Sequence, residues 1–314
     1  MIVVDHVTKY YGANPAVRDL DFRIEEGECV GFLGLNGAGK TTTLNLLSCL
    51  LLPTSGKVTI RGLDAEEEPH EIRKFIGYLP DAPPVYGEMR VTEFVRFAGR
   101  LRRMTSAAVK ERLPEVIDIC GLREVADQAI GTLSHGYRQR VGIAQAIVHK
   151  PALLILDEPI QGLDPVQIVE MREMIRSLRG EHTILLSTHI LSEIEQTCDR
   201  ILMLHEGRIT AQGTEEELAS QFGGGVGIEL EVRGEEGAVR QALQALEGID
   251  GVAVQGGPDG LLKVTVEASR DLREDASRAV VQAGAGLRSL RRVSSRLESI
   301  FVELSERDDE GASP

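Results

Sequence analysis

Three short runs in this chain are apolar without interruption: CVGFLG (29–34), ALLILD (152–157) and TILLST (183–188). A strand with one wet face alternates apolar and polar residues, whereas a short continuous run is covered on both faces, as in a parallel sheet. Helical patterns separate the runs. Around TEFVRFAGRLRR (92–103), Val91, Phe94, Val95, Ala98 and Leu101 fall on one helix face and arginines on the other. PVQIVEMREMIRSLR (165–179) and the region after Ser134 read as helices too. Strands alternating with helices in this way predict an α/β fold with a parallel core and a helical insertion around residues 85–150. Segments near 1–12 and 17–25 alternate instead, as half-buried antiparallel strands do.

The pattern breaks at Gly223-Gly224-Gly225, which packs nothing and reads as part of a linker over 223–227. Beyond it lies a small second domain, expected over 228–306. IELEVR (228–233) is a strand, EEGAVRQALQALE (235–247) a helix, and GVAVQG (251–256) with LLKVTVE (261–267) a hairpin pair. A helix over 271–283 and a strand near 286–293 complete the order βαββαβ, the ferredoxin-like α+β motif. SRLESIFVELSE (295–306) reads as a closing amphipathic helix, and residues 307–314 as a polar, disordered tail.

Bulk properties narrow the class. The 314 residues suffice for about two domains of ~150 residues. A formal charge of -14 argues against a free-standing nucleic-acid binder. The N-terminus MIVVDHVTKYYG reads as a strand rather than a signal peptide. LNLLSCLLLP (44–53), the most apolar stretch, is far short of the ~20 residues of a membrane span, so membrane contact is expected only through a partner. Cys29, Cys49, Cys120 and Cys198 are scattered, form no C-x-x-C pair, and read as buried thiols in a reducing compartment.

GLNGAGKTT (34–42) follows CVGFLG directly and opens a helical pattern, the context that G-x-x-x-x-G-K-[ST] requires. Across Gly34, Asn36, Gly37, Ala38 and Gly39 the backbone can wrap a phosphate with N–H groups. Lys40 reaches the β- and γ-phosphates, the Thr41 hydroxyl is placed for Mg²⁺, and Thr42 continues a helix N-terminus that favours anions. A glycine-rich turn with no ligand is the bland alternative. ALLILDEP (152–159) delivers Asp157 and Glu158 at the C-terminal end of a strand, where α/β proteins place ligands. Asp157 suits outer-shell Mg²⁺ binding. Glu158 suits a base that orients or deprotonates a water, a role worth ~10²–10⁴ in rate. A solvated acidic pair is the alternative. His189 in TILLSTH would hydrogen-bond the γ-phosphate or the attacking water, or else be an ordinary core or surface histidine. Ser134 and His135 in LSHGYRQR (133–140) suggest a nucleophile and its base, but no third acid and no G-x-S-x-G elbow accompany them.

Taken in order, GLNGAGKTT, LSHGYRQR, ALLILDEP, QGLDP (161–165) and STH (187–189) resemble the nucleotide-binding subunit of an ABC transporter, over about residues 1–222. The resemblance implies a P-loop NTPase cassette with a mixed sheet, an antiparallel β subdomain and a helical subdomain. It implies ATP and Mg²⁺, with Lys40, Glu158 and His189 in catalysis and Thr41, Asp157 and Asp81 near the metal. It also implies a dimer in which Ser134, Gly136 and a helix N-terminus meet the γ-phosphate held by a second subunit. Asp164 resembles the residue that couples the two sites. Tyr11 resembles the aromatic that stacks on adenine, with Tyr10 as competitor and strand-face packing as the alternative.

Departures from the family pattern are few. Asp81 in IGYLPDAPPVY (76–86) stands where most relatives carry glutamine. A carboxylate ~4 Å from a phosphate charge would cost ~4 kcal/mol at an effective dielectric of 20, so Asp81 must face the metal, be protonated or point away. His135 and Tyr137 replace Gly and Gln of the signature, Leu35 a proline, and Ile160 a frequent threonine. The 76–102 segment and the tail RLESIFVEL resemble ATPases of bacterial exporters of the drug-resistance and gliding-motility type, whose permeases are separate chains. That likeness implies a homodimer on the cytoplasmic face of the cell membrane, held there by the permease. Two other readings stay open: a soluble ABC-type ATPase of translation or DNA repair, and an ATP-dependent dimerisation module that hydrolyses poorly.

Overall fold

The computed structural model describes residues 1–215, 217–218, 226–257 and 261–293. The chain divides into two compact units, Met1–Gln212 and Gly213–Pro314. In the first, β1 (Ile2–Tyr11) pairs antiparallel with β2 (Asn14–Ile24). Both strands alternate burial only in part, because register shifts interrupt β1. β3 (Cys29–Leu33) is buried at every position and leads through the 34–39 loop into α1 (Lys40–Leu47). β4 (Ser55–Ile60) and β5 (Leu63–Asp64) then complete an antiparallel sheet in the order β2-β1-β4-β5.

The chain continues through α2 (Pro69–Ile72) and β6 (Ile76–Leu79) into the helical insertion: α3 (Val91–Leu101), α4 (Ser106–Ile119) and α5 (His135–Ile147). β7 (Leu153–Asp157), α6 (Pro165–Ser177), β8 (Thr183–Thr188), α7 (Leu191–Thr197), β9 (Arg200–His205) and β10 (Arg208–Gly213) close the unit. The second sheet runs β10-β9-β3-β8-β7-β6, with β9, β3, β8, β7 and β6 parallel. β7 and β8, like β3, are buried throughout, as their unbroken apolar runs require. The core passes from one sheet to the other: Phe22 of β2 meets Phe32 of β3 edge to face, with centroids 5.5 Å apart. Each such ring fully buried stabilises by roughly 1.5–3 kcal/mol.

The insertion corrects one expectation. Val91, Phe94, Val95 and Ala98 of α3 are buried, but Leu101 is 67% exposed, and Gly99 takes the inner position instead. Leu101 lies roughly a quarter turn off the centre of the buried stripe, at the last residue of the helix. Gly99 is needed at its own position: a Cβ there would sit 2.9 Å from Val109 of α4.

The second unit has its own core. β11 (Val226–Arg233), α8 (Glu236–Gln244), β12 (Ile249–Gly256), β13 (Leu261–Ala268), α9 (Arg273–Gln282) and β14 (Gly286–Val293) form an antiparallel sheet in the order β12-β13-β11-β14. This is the split βαββαβ arrangement. Ile228, Leu230 and Val232 of β11 face Val239 and Leu243 of α8 and Ala276 and Val280 of α9 in one cluster. β11 starts at Val226, which pairs with Ala268, so the expected linker over 223–227 gives up its end to the strand. The rest of that linker, the closing helix over 295–306 and the tail over 307–314 lie outside the described residues. Among the described residues, no helix is long and apolar enough to cross a membrane.

Candidate functional site

The order β3-β8-β7 carries two non-adjacent stretches of sequence to one sheet edge. β8 separates β3 from β7, so the loop after β3 and the acids after β7 open onto a shared crevice at the carboxyl ends of the strands. A cavity of about 400 Å³ lies there, lined by Asn36, Lys40, Thr41, Asp81, Asp157 and Glu158 among others.

The loop is shaped by its glycines. Gly39 precedes α1 at φ 101, and a Cβ on it would lie 2.6 Å from the Ala16 carbonyl oxygen. Gly34 has the same constraint: its Cβ would meet the Leu204 carbonyl at 2.6 Å. Gly37 sits at φ 85 with open space beside it. The first turn of α1 leaves N–H groups without intrahelical partners, and Lys40, Thr41 and Thr42 of that turn line the cavity. Ala38 is 5% exposed and packs in the core behind the loop.

Lys40 is 6% exposed. Its Nζ donates to the Gly34 carbonyl at 2.6 Å and the Leu35 carbonyl at 3.2 Å, and lies 3.3 Å from Glu158 Oε1. Glu158 in turn meets His189 Nδ1 at 3.1 Å. A buried carboxylate is thus held between an ammonium and an imidazole. Glu158 occupies the left-handed region at φ 46, a conformation that costs of order 1–3 kcal/mol for a non-glycine residue. Its N–H is held by the Ser187 carbonyl at 3.1 Å and the Ser187 hydroxyl at 3.2 Å, which over-determine that turn.

Asp157, at the end of β7, accepts from the Thr41 hydroxyl at 3.2 Å and from the Ser187 hydroxyl. Burial pushes its carboxyl above the usual range, the two hydroxyls oppose that shift, and the neighbouring acids Glu158 and Asp81 add to it. The phenol of Tyr78 is likewise pushed up to about 12, first by burial and then by Asp157 and Asp81. Three carboxylates and a threonine hydroxyl around one cavity form an all-oxygen donor set that suits a hard divalent cation. A cation there would offset the repulsion that raises Asp157. Asp81, exposed at the end of the β6 loop, lines the cavity, and its carbonyl accepts from Gln139 Nε2 at 3.3 Å.

The remaining sequence candidates lie elsewhere on the unit. Ser134 caps α5, its hydroxyl accepting from Tyr137 N at 3.4 Å. His135 Nε2 lies 3.0 Å from the Gln161 carbonyl, so neither side chain serves as a nucleophile–base pair in this arrangement. Gly136 packs against Gln167 of α6, where a Cβ would fall 2.6 Å from Oε1. Asp164 caps α6 by accepting from Val166 N and Gln167 N. Tyr11 is 53% exposed with Lys9 Nζ 6.0 Å from its ring centroid, and Tyr10 is 44% exposed. None of Tyr10, Tyr11, Ser134, Gly136 and Asp164 lines the cavity. Sequence reasoning missed Ser187, which ties the Asp157 side chain to the Glu158 backbone. Its signal was its register: β8 pairs Ser187 directly opposite Asp157.

A phosphate-wrapping loop, a buried lysine and a strand-end acid pair on a parallel sheet define a P-loop NTPase site. The profile of the ABC transporter family matches residues 17–161. The linearmycin resistance ATP-binding protein LnrL of Bacillus subtilis (strain 168) is 32% identical over 98% of this chain and 99% of its own length. The bacitracin transport ATP-binding protein BcrA of Bacillus licheniformis is 41% identical over 67% of this chain and 68% of its own. Among solved structures, an ATP-binding subunit of an ABC transporter superposes with a TM-score of 0.65 at 34% identity, covering 71% of this chain and 94% of that one. The dimeric post-hydrolysis cassette MJ0796, bound to ADP and Pi, superposes with a TM-score of 0.63 at 26% identity, covering 68% and 98%. The chain belongs to the ABC transporter family as an ATP-binding ATPase subunit.

Proposed function

We propose that this protein hydrolyses Mg²⁺-ATP as one half of a homodimer and thereby powers a separate membrane permease in export. The observation that carries the catalytic part is the buried Lys40–Glu158 pair, continued by the half-buried His189, beside the phosphate loop. Gly34, Asn36, Gly37, Ala38, Gly39 and Thr42 shape the cradle, and the Lys40 ammonium faces the β- and γ-phosphates. Thr41 and Asp157, with Asp81 at the rim, hold the metal. When bound, Mg²⁺ spreads the phosphate charge and lowers the cost of moving it to the leaving group.

Glu158 orients a water in line with the γ-phosphorus and accepts its proton as the new O–P bond forms and the β–γ bridging bond breaks. His189 fixes the Glu158 carboxylate and reaches the γ-phosphate side. Tyr11 supplies an exposed ring for adenine, and Ser134 and Gly136 at the N-terminus of α5 close on the nucleotide of the partner chain. Asp164, capping α6, couples the two sites.

Export, rather than import, is supported by likeness to resistance-type ATP-binding proteins that extend through the second unit, as LnrL does. The cytoplasmic face of the membrane is then the working location, reached through the permease.

Glu158→Gln tests the catalytic role. The variant should keep the fold and ATP binding, lose turnover by at least about 100-fold, and run as an ATP-stabilised dimer in size-exclusion chromatography. Phosphate release at the unmodified rate would remove Glu158 from the mechanism.

A further inference from the structure

Cys29 opens β3 and Cys198 sits between α7 and β9, yet their sulfurs lie 3.7 Å apart. The backbones around them are pinned together. Cys29 N donates to Asp199 Oδ2 at 2.9 Å, and Asp199 N donates to the Cys29 carbonyl at 2.7 Å. Arg179 pairs with the same Asp199. A disulfide needs sulfurs about 2 Å apart, so closure asks for roughly 1.7 Å of movement between side chains whose backbones are already neighbours. The pair is also graded in access: Cys29 is fully buried, while Cys198 is half-buried.

The other cysteines differ. Cys49 and Cys120 are buried, and burial pushes their thiols up to about 11 and about 12. Cys29 moves the opposite way: the hydrogen bond with Cys198 holds it below the ordinary thiol range against the effect of burial, and Arg179 adds to this. A thiolate shared by neighbouring sulfurs next to a guanidinium is the setting in which cysteine becomes reactive.

We propose that Cys29 and Cys198 form an oxidisable pair that hydrogen peroxide converts into an intrachain disulfide. The oxidant meets the half-buried Cys198 first. Cys198 passes its proton to the Cys29 sulfur 3.7 Å away and attacks peroxide as the thiolate, the O–O bond breaks, hydroxide leaves and takes up a proton, and Cys198 becomes a sulfenic acid. The Cys29 sulfur then attacks the Cys198 sulfur, the S–O bond breaks and water leaves. Two thiols and one peroxide yield one disulfide and two waters, with two electrons passing from the sulfurs to the peroxide oxygens.

The test treats the full chain with hydrogen peroxide, blocks free thiols by alkylation, and maps peptides without reduction. The expected result is a Cys29–Cys198 linked peptide that vanishes on addition of a thiol reductant, with Cys49 and Cys120 alkylated. Cys198→Ser should give no link and leave Cys29 alkylated after denaturation. Should that variant fail to fold, the paired substitution Cys49→Ser with Cys120→Ser, which must keep the link, carries the test. Recovery of all four cysteines as alkylated thiols would overturn the proposal. So would Cys198 accumulating as sulfinic acid while Cys29 stays free, or a link between any other pair.

Discussion

At the scale of single residues, the site depends on backbone conformations that most side chains resist. Gly39 stands at φ 101 with the Ala16 carbonyl 2.6 Å from where a Cβ would go. Gly39→Ala must therefore either strain the loop or push β2 away from it. The expected cost is about 1–3 kcal/mol of stability together with a large loss of ATP affinity, read by urea unfolding and by nucleotide titration. Unchanged values of both would mean that the loop relaxes freely. Glu158 presents the opposite case, a non-glycine residue at φ 46, held by two hydrogen bonds from its own N–H to Ser187. Lys40, Asp157 and Glu158 could be read from the sequence because spacing after an apolar strand places them. The turn at Glu158, the role of Ser187 and the meeting of Cys29 with Cys198 across 169 residues could not, because each depends on strand order.

Histidine 149 carries a pH effect unrelated to catalysis. Burial, then Arg102, lowers its imidazole to about 4, while its Nε2 sits 3.1 Å from the Ile76 carbonyl. Between about 4 and the ordinary 6.5 the unfolded chain binds more protons than the folded one at this position. Stability from this group is therefore complete above about pH 6.5 and drains away as the pH falls toward 4, by at most about 3 kcal/mol. His149→Gln can still donate to the Ile76 carbonyl but does not titrate. Urea unfolding of both proteins across this window should give a steeper loss in the wild type. Parallel slopes would place the imidazole in water.

At the scale of elements, burial on both faces decides what a sequence reveals. β3, β7 and β8 announced themselves because every side chain is buried, and α3 because most of its apolar stripe is. β6 is short, IGYL, and is bound into the sheet on one side only, by β7, so it offered little pattern. What fixes it is contact. A Cβ on Gly77 would fall 2.2 Å from the Ala146 carbonyl of α5, so α5 rests on the backbone of β6. The Asp81 loop leaves the end of this strand, and Gln139 and Gln145 of α5 donate to carbonyls of Asp81 and Tyr78. Gly77→Ala should wedge helix and strand apart, costing about 1–3 kcal/mol in denaturant unfolding and lowering turnover through Asp81 rather than through the phosphate loop. ATP affinity should hold to within a few-fold. A variant as stable as the parent would show that α5 has room to move.

At the scale of the whole molecule, the first unit carries two groups of proposed site residues, only one of which lines the cavity. Lys40, Thr41, Asp157 and Glu158 line the cavity, while Ser134 and Gly136, at the N-terminus of α5, do not. If a symmetric pair of chains builds each site from the cradle of one and the α5 N-terminus of the other, the defects should complement. Lys40→Ala and Ser134→Ala would each be inactive alone, since every site contains one damaged half. In the mixed dimer both defects fall into the same site, and the second site is wholly wild type. An equimolar mixture, allowed to exchange subunits, should therefore recover up to about a quarter of wild-type turnover, half the dimers being mixed with one good site in each. Dilution should abolish the recovery, because it depends on association. Sites complete within one chain would recover nothing on mixing at any concentration, and Ser134 would then serve only to cap α5, a loss of about 1 kcal/mol in helix stability with turnover intact.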